Sequence, residues 1–551
     1  MSFFDDASLV FLPSGEAGKD GKAYSMKPTD GSGDFTFSRG SNLTATRVDS
    51  NGLIEKGREN LLTYSNEFAT SPWGVSGLET PTTGESGYDG SADAWLLETS
   101  ASSGRLRRTT SLSGVNTFSF YAKKGNVDYI AFFGISSGNF PRAWFNLATG
   151  NVSNQLNHID AKMEIIGNGW YRCSITFDEA VTELRIYPTN TAGSFSAGAG
   201  ETSIIQDAQL EIGLVATEYI ESGASKGKAG ILEHSPRFDY SGGASCPSLL
   251  LEPSRTNLIG YSEYLEGTGW TAQAGITLTP NTTETLSPEG LNNAYKVVST
   301  DATKGFYISG LNVTNDAVRT IYLKGSVGGE TIVFKDPSGF GTPSTKTLTT
   351  DWQRFEMATT NDGNTYQGLF IDDISVGTIY AYGAQVELGS YPTSYIPNHS
   401  GGSETRNADV CEGAGTSSTF NDSEGVLYVE LSYLQDGRLA IKNSDSSDQI
   451  VIGSVGGNVF YRVKENNTNV ITEFTAVSGS VNKKIALRYK SRDTSIFIDG
   501  VEYNVNTSNY TLSGLNEFLF VSEGNTTYGN VKQVLVFGTA LSDSECITLT
   551  S

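Results

Sequence analysis

Leu53 to Trp73 reads LIEKGRENLLTYSNEFATSPW, and Leu250 to Trp270 reads LLEPSRTNLIGYSEYLEGTGW. Glu55 and Glu252, Arg58 and Arg255, Asn60 and Asn257, Tyr64 and Tyr261, Ser65 and Ser262, and Trp73 and Trp270 fall in step at a constant offset of 197. Further on, AQLEIG at 208–213 followed by Tyr219-Ile220 matches AQVELG at 384–389 followed by Tyr395-Ile396. The offset there is 176, so the second copy is 21 residues shorter between its ends. Phe120-Tyr121-Ala122-Lys123 with Ile321-Tyr322-Leu323-Lys324, and Trp170-Tyr171-Arg172 with Trp352-Gln353-Arg354, keep the same order. One module is used twice, and a repeat of this length governs the reading of everything around it.

Inside each copy apolar residues alternate, as in Thr117-Phe118-Ser119-Phe120-Tyr121 and Thr320-Ile321-Tyr322-Leu323, and turn clusters such as Lys124-Gly125-Asn126 and Asp336-Pro337-Ser338-Gly339 bound them. Period two means strands, and no window holds a helical spacing over three turns. About 180 residues of short strands whose opening and closing segments both carry a matched Tyr predict a two-sheet antiparallel sandwich, a jelly roll with its first and last segments side by side. After Gly401 new alternating runs follow, among them 425–431, 484–489, 495–501, 517–521 and 531–537. They predict a third, separate sandwich, with a tight hairpin at Asp499-Gly500 and a last helical turn or loop at 541–545. The fold class is all-β, tandem antiparallel β-sandwiches.

Composition excludes several functions. Lys plus Arg number 38 against 61 for Asp plus Glu, a net charge of −23 that repels nucleic acid and anionic lipid. That charge also predicts a neutral or cationic ligand unless calcium intervenes. Three histidines and four cysteines far apart give no zinc spacing and no disulfide framework. The start, Met-Ser-Phe-Phe-Asp-Asp, lacks the basic region of a signal peptide, and no stretch approaches the roughly 18 apolar residues of a membrane span. Synthesis in the cytosol, with no membrane insertion, is expected.

Trp73, Trp270, Trp170 and Trp352 are expected to fill the cores of their modules rather than to stack on sugars. Glu55, Arg58 and Asn60, with Glu252, Arg255 and Asn257, are expected to tie down the opening strand through ion pairs or a turn bracket. Glu211 and Glu387 are expected as strand-edge charges or structural calcium ligands. In the last domain the loop 525–530 offers Tyr528, Asn525 and Asn530 as glycan contacts, against the reading of a plain polar turn.

The string from Pro236 to Ile259 (PRFDYSGGASCPSLLLEPSRTNLI), the ending GAQVELGSYPTSYIPNHSGGSETRNAD from Gly383 to Asp409, and the opening segments at 6–10, 22–25, 30–35 and 45–48 resemble modules of tailed-bacteriophage virion proteins: head fibres, head spikes and tail fibres. RYKSRDTSIFIDGVEY and GNVKQVLVFGTALSDSE resemble a concanavalin A-like, laminin G-type sandwich. The resemblance implies a virion-docking segment at 1–50, carbohydrate-binding-module-like jelly rolls at 51–235 and 236–403, and a lectin-like sandwich at 404–551. It further implies a surface fibre or spike that contacts host or environmental glycans, docks to other virion proteins and forms a homo-oligomer, a trimer by analogy with fibres. Such a protein assembles in the host bacterial cytoplasm and ends on the virion surface. It is expected not to be an enzyme and to need no cofactor, calcium aside. The rival readings are a purely structural decoration protein and a polysaccharide depolymerase tailspike.

Overall fold

The computed structural model describes all residues except 1, 15–17, 20, 41–42, 314, 336–343, 360–366, 432–436, 456–457, 479–481, 523–524 and 527–528. The turn expected at 336–339 therefore lies outside the described residues. Strands take 51% of the residues and helix 2%, and the sheets are antiparallel, so the all-β class holds. The chain folds as two compact units. One contains 1–56, 231–255 and 405–551; the other contains 57–230 and 256–404.

The second unit holds both copies of the repeat. In the first copy one sheet runs in the order Asp160–Gly167, Trp170–Asp178, Val115–Lys124, Thr202–Ile212, Ala94–Glu98, Thr82–Glu85. The facing sheet runs Asn151–Leu156, Arg142–Asn146, Tyr129–Ser136, Val181–Thr189, Arg105–Thr109, Trp73–Ser76. Alternation sends Phe118, Phe120, Phe132, Leu106, Ile186 and Leu210 between the sheets, where all are buried. The opening Arg58–Asn60 pairs with Gly227–Ala229, so the first and last segments lie side by side as the repeat implied.

Among the described residues the second copy has five strands in each sheet: Gln353–Thr359, Ala317–Gly325, Gly377–Leu388, Tyr295–Ser299, Ile276–Thr279 in one, and Ser344–Thr347, Thr331–Lys335, Gln367–Asp372, Phe306–Leu311, Trp270–Ala272 in the other. The strands without a counterpart are Asn151–Leu156 and Asp160–Gly167, one at the edge of each sheet of the first copy. The repeat offset drops in the same stretch, from 201 at Tyr121 and Tyr322 to 182 at Trp170 and Trp352. The length difference between the copies is thus largely one pair of edge strands. These strands meet the second copy: Asn281 donates to Asp160 Oδ2 at 2.9 Å, and Val152, Asp160 and Lys162 wall a cleft of ≈520 Å³ with Thr283, Leu286 and Asn292. Tyr261 donates to Asp178 at 3.1 Å, and the Val115 amide to the His399 carbonyl at 2.9 Å.

The first unit corrects the expectation of a separate C-terminal sandwich. Its large sheet runs Arg237–Asp239, Ser248–Leu251, Gly529–Phe537, Glu424–Leu431, Lys483–Lys490, Thr494–Ile498, Val501–Asn506. Leu9–Phe11 also pairs with Gly529–Phe537, placing Leu9 opposite Val536, while Ser248–Leu251 takes the other end of that strand, with Leu249 opposite Val531. Residues 425–537 alone would leave that strand an open apolar edge, and strands from 1–56 and 231–255 close it. The facing sheet is Thr468–Ser478, Asn458–Glu465, Gln449–Val455, Arg438–Asn443, Leu515–Leu519. Asp499 and Gly500 have φ of 48° and 80° and join Thr494–Ile498 to Val501–Asn506, the two-residue hairpin that Asp-Gly favours. The end of the chain is a helix, Asp543–Thr550, with Ser542 and Glu545 forming a capping box.

Charge holds the three segments of this unit together. Arg237 and Arg406 each place Nη1 2.7 Å from Glu252 Oε2, Arg237 also pairs with Asp409, and Arg39 Nη1 lies 3.3 Å from Asp409 Oδ1. All five side chains are buried. Burial pulls the Arg39 guanidinium down to about 10 against the opposing attraction of Asp409. Removing one member of such a group leaves a buried charge uncompensated, at a cost of about 3–5 kcal/mol.

Candidate functional site

The matched residues build a frame that holds the sheets in place. Asn60 is fully buried; its amide donates to the carbonyls of Ala208 and Ile220 (3.2 and 2.9 Å), and its Oδ1 accepts from the amides of Leu62 and Leu210 (3.2 and 3.1 Å). Asn257 makes the same four bonds to Ala384, Ile396, Ile259 and Val386. Trp73 and Trp270 are buried, and each indole N–H donates to the carbonyl of the matched tyrosine, Tyr64 at 2.7 Å and Tyr261 at 2.9 Å. Trp170 is fully buried against Tyr88 and Tyr121, whereas Trp352 is half-buried and donates to the Leu286 carbonyl.

Glu211 and Glu387 are not edge charges. Both are buried and accept from the amide and hydroxyl of one threonine, Thr217 at 2.9 and 2.7 Å and Thr393 at 2.7 and 2.7 Å, and from Gln209 and Gln385 beside them. Glu55 and Glu252 match in sequence but not in partners: Glu55 bonds Arg47 at 2.7 Å, while Glu252 sits in the buried charge group. Arg58 lies half-buried in the strand opposite Ala229, and Arg255 donates to the Ser254 carbonyl. Of the predicted glycan contacts, Tyr528 lies outside the described residues. Asn525 belongs to a two-residue strand paired with Val521–Ser522, and Asn530 sits in Gly529–Phe537 opposite Leu250.

The groups able to meet a ligand are elsewhere, on the outward face of the first copy's sheet. Leu106, Ile186, Phe132 and Ala143 point inward, so their neighbours along each strand point out. Register then sets Arg107 opposite Arg185, Arg185 opposite Phe133 and Phe133 opposite Arg142, one row across four strands. Glu183 binds the first two arginines, Oε1 at 2.5 Å from Arg185 Nε and Oε2 at 3.7 Å from Arg107 Nη1. Arg107 lies across Gly74, where an added Cβ would come within 3.2 Å of its Nε. Phe140 stacks on Phe133 at 5.5 Å, and both rings are half-buried. Behind them Phe195 wedges against Trp144 and Tyr187 at 4.7 Å each, and the Trp144 indole donates to the Ser194 carbonyl. A flat aromatic surface flanked by guanidinium forks can hold a planar polar ligand by stacking and paired hydrogen bonds. Alternation in Arg105/Arg107, Arg142/Trp144 and Arg185/Tyr187 was the available sequence signal.

A second feature separates the copies. Where Val115–Lys124 meets Thr202–Ile212, and where Ala317–Gly325 meets Gly377–Leu388, the register shifts at the same place. The second copy has Gly383 there at φ 61°, and a Cβ would come within 3.3 Å of Tyr322 and Tyr395. The first copy has Asp207 at φ 52°, buried, accepting from the Tyr88 hydroxyl at 2.9 Å. Burial raises its carboxyl to about 6, Tyr88 opposing and Asp93 adding to the shift.

No protein-family profile and no curated protein matches the chain. Among solved structures it is similar to domain 4 of AbnA, a GH43 extracellular arabinanase of Geobacillus stearothermophilus, in complex with arabinotriose (11% identity, 26% of this chain and 73% of that one, TM-score 0.22). It is also similar to the tandem CBM22-1-CBM22-2 domain of Paenibacillus barcinonensis Xyn10C (10%, 64% and 99%, 0.22) and to the LG1-3 region of the laminin α2 chain (10%, 79% and 95%, 0.18). With an arabinanase domain among these neighbours, the expectation that the chain is not an enzyme does not stand. At these TM-scores the likenesses carry no reaction to this chain.

Proposed function

We propose that this protein is a bacteriophage virion surface protein, a fibre or spike of head or tail, whose first sandwich module contacts glycans of the host or its surroundings. The outward row of Phe133, Arg107, Arg185 and Arg142 carries the binding half of this reading. The virion half rests on the resemblance of 236–259 and 383–409. In this reading residues 1–50 meet other virion proteins and the chain acts as a homo-oligomer. A shallow face with one aromatic pair leaves little surplus over the cost of association, so one chain should bind with a dissociation constant of about millimolar to micromolar. Many copies on one particle then make attachment tight.

The test is a glycan array probed with the whole chain and with Phe133→Ala/Phe140→Ala. Hits from the native chain that the double variant loses, with its melting kept, support the reading. A silent array from folded protein overturns the glycan half, and labelled virions that carry none of this protein in electron microscopy overturn the virion half.

A further inference from the structure

We infer that the ligand of this face is an acidic polysaccharide, one whose sugars carry carboxylates; the inference rests on the glycan reading above. The net charge of −23 predicts a neutral or cationic ligand. At physiological salt, however, exposed charges are screened beyond about 8 Å, so the charges within the contact decide. Here they are positive. Arg107, Arg185 and Arg142 stand in one register row with Phe133, and Glu183 beside them is engaged by Arg185 and Arg107. Two of the three positive charges remain uncompensated. Arg142 makes no side-chain hydrogen bond or ion pair among the described residues.

Geometry narrows the ligand further. Three strand spacings separate Arg107 from Arg142, about 14 Å, so the row can engage more than one sugar of a chain. A guanidinium offers a planar fork that matches a carboxylate through two parallel hydrogen bonds. The Phe133 and Phe140 rings between the cations suit the apolar face of a pyranose. In the second copy the strands that match those of Arg107, Arg185 and Phe133 set Tyr307, Phe370 and Lys335 in one row; the one cation of these three, Lys335, is paired with Asp372 at 2.5 Å. That places the preference for acid in the first copy.

The experiment measures binding of the full chain to polygalacturonate and hyaluronate, to the same polymers with their carboxyls reduced to alcohols, and to dextran sulfate. The expected result is binding to at least one uronate polymer, at least tenfold weaker after reduction. Arg142→Gln and Arg107→Gln should each weaken it about fivefold or more with unchanged melting, and Lys335→Gln should leave it as it was. Equal binding of the reduced polymer overturns the acidic inference and leaves the glycan reading standing. So do array hits confined to neutral glycans. Dextran sulfate binding as tightly as the uronates overturns carboxylate recognition in favour of charge alone. Silence toward every polymer and every arrayed glycan overturns the glycan reading itself.

Discussion

Across the outward sheet of the first module the row from the Trp73 strand reads Gly74, Arg107, Arg185, Phe133; in the second, from the Trp270 strand, it reads Thr271, Tyr307, Phe370, Lys335, with Tyr307 and Phe370 stacked at 4.4 Å. Both sheets are held by the same buried Asn, Trp, Gln and Glu. The two copies therefore kept what closes the sandwich and changed what faces water. A buried amide with four bonds has no substitute of the same shape, whereas an outward strand position accepts any side chain that tolerates the pleat. Divergence at Arg107, Arg185 and Phe133 leaves the fold intact and alters the chemistry of the surface.

The shared frame makes the strongest claim. Trp73→Ala and Trp270→Ala should each destabilise their module by about 3–5 kcal/mol, as deletion of a large core aromatic does. Calorimetry that finds one of them near neutral breaks the equivalence of the copies. Asn60→Ala and Asn257→Ala should follow at roughly 2–4 kcal/mol each, because two carbonyls and two amides are left buried without partners; unequal losses in denaturant melts would show that the brackets differ in weight.

The third test separates the copies. The Asp207 carboxyl, raised to about 6, favours folding when protonated. The stability it contributes is complete below about pH 4 and is lost as pH rises through about 6. Asp207→Asn, which keeps a residue tolerant of positive φ, should stabilise the first module by about 1–3 kcal/mol at pH 7.5 and leave it unchanged below pH 4. A pH-independent effect would remove the carboxyl from the explanation. Smallest of all, Lys335→Gln in the second module should cost under about 1 kcal/mol, since its ion pair is partly exposed; a larger loss of melting temperature would give that face a structural weight the first lacks.

The repeat, the alternation and the Asp499-Gly500 hairpin were legible because each is a local pattern with a local cause. Asn60 and Asn257 were legible as brackets from matched spacing alone. Two things were hidden. The pairing of Leu9–Phe11 with Gly529–Phe537 joins residues more than five hundred positions apart, and nothing in either strand names its partner. The outward row was hidden for the same reason: Arg107 and Arg185 are neighbours through register, which depends on strand pairing across a long separation that composition does not encode. Glu211 was misplaced because an acid next to a strand end looks exposed until Thr217 is seen beneath it.

Gly529–Phe537 pairs on one side with Glu424–Leu431 and on the other with strands from both earlier segments of its unit. During synthesis Leu9, Val10 and Phe11, almost wholly buried in the finished protein, have no sheet to join until the ribosome has made residue 537. A chain broken off before Gly529 keeps that apolar strand exposed, open to proteases and to aggregation rather than to assembly.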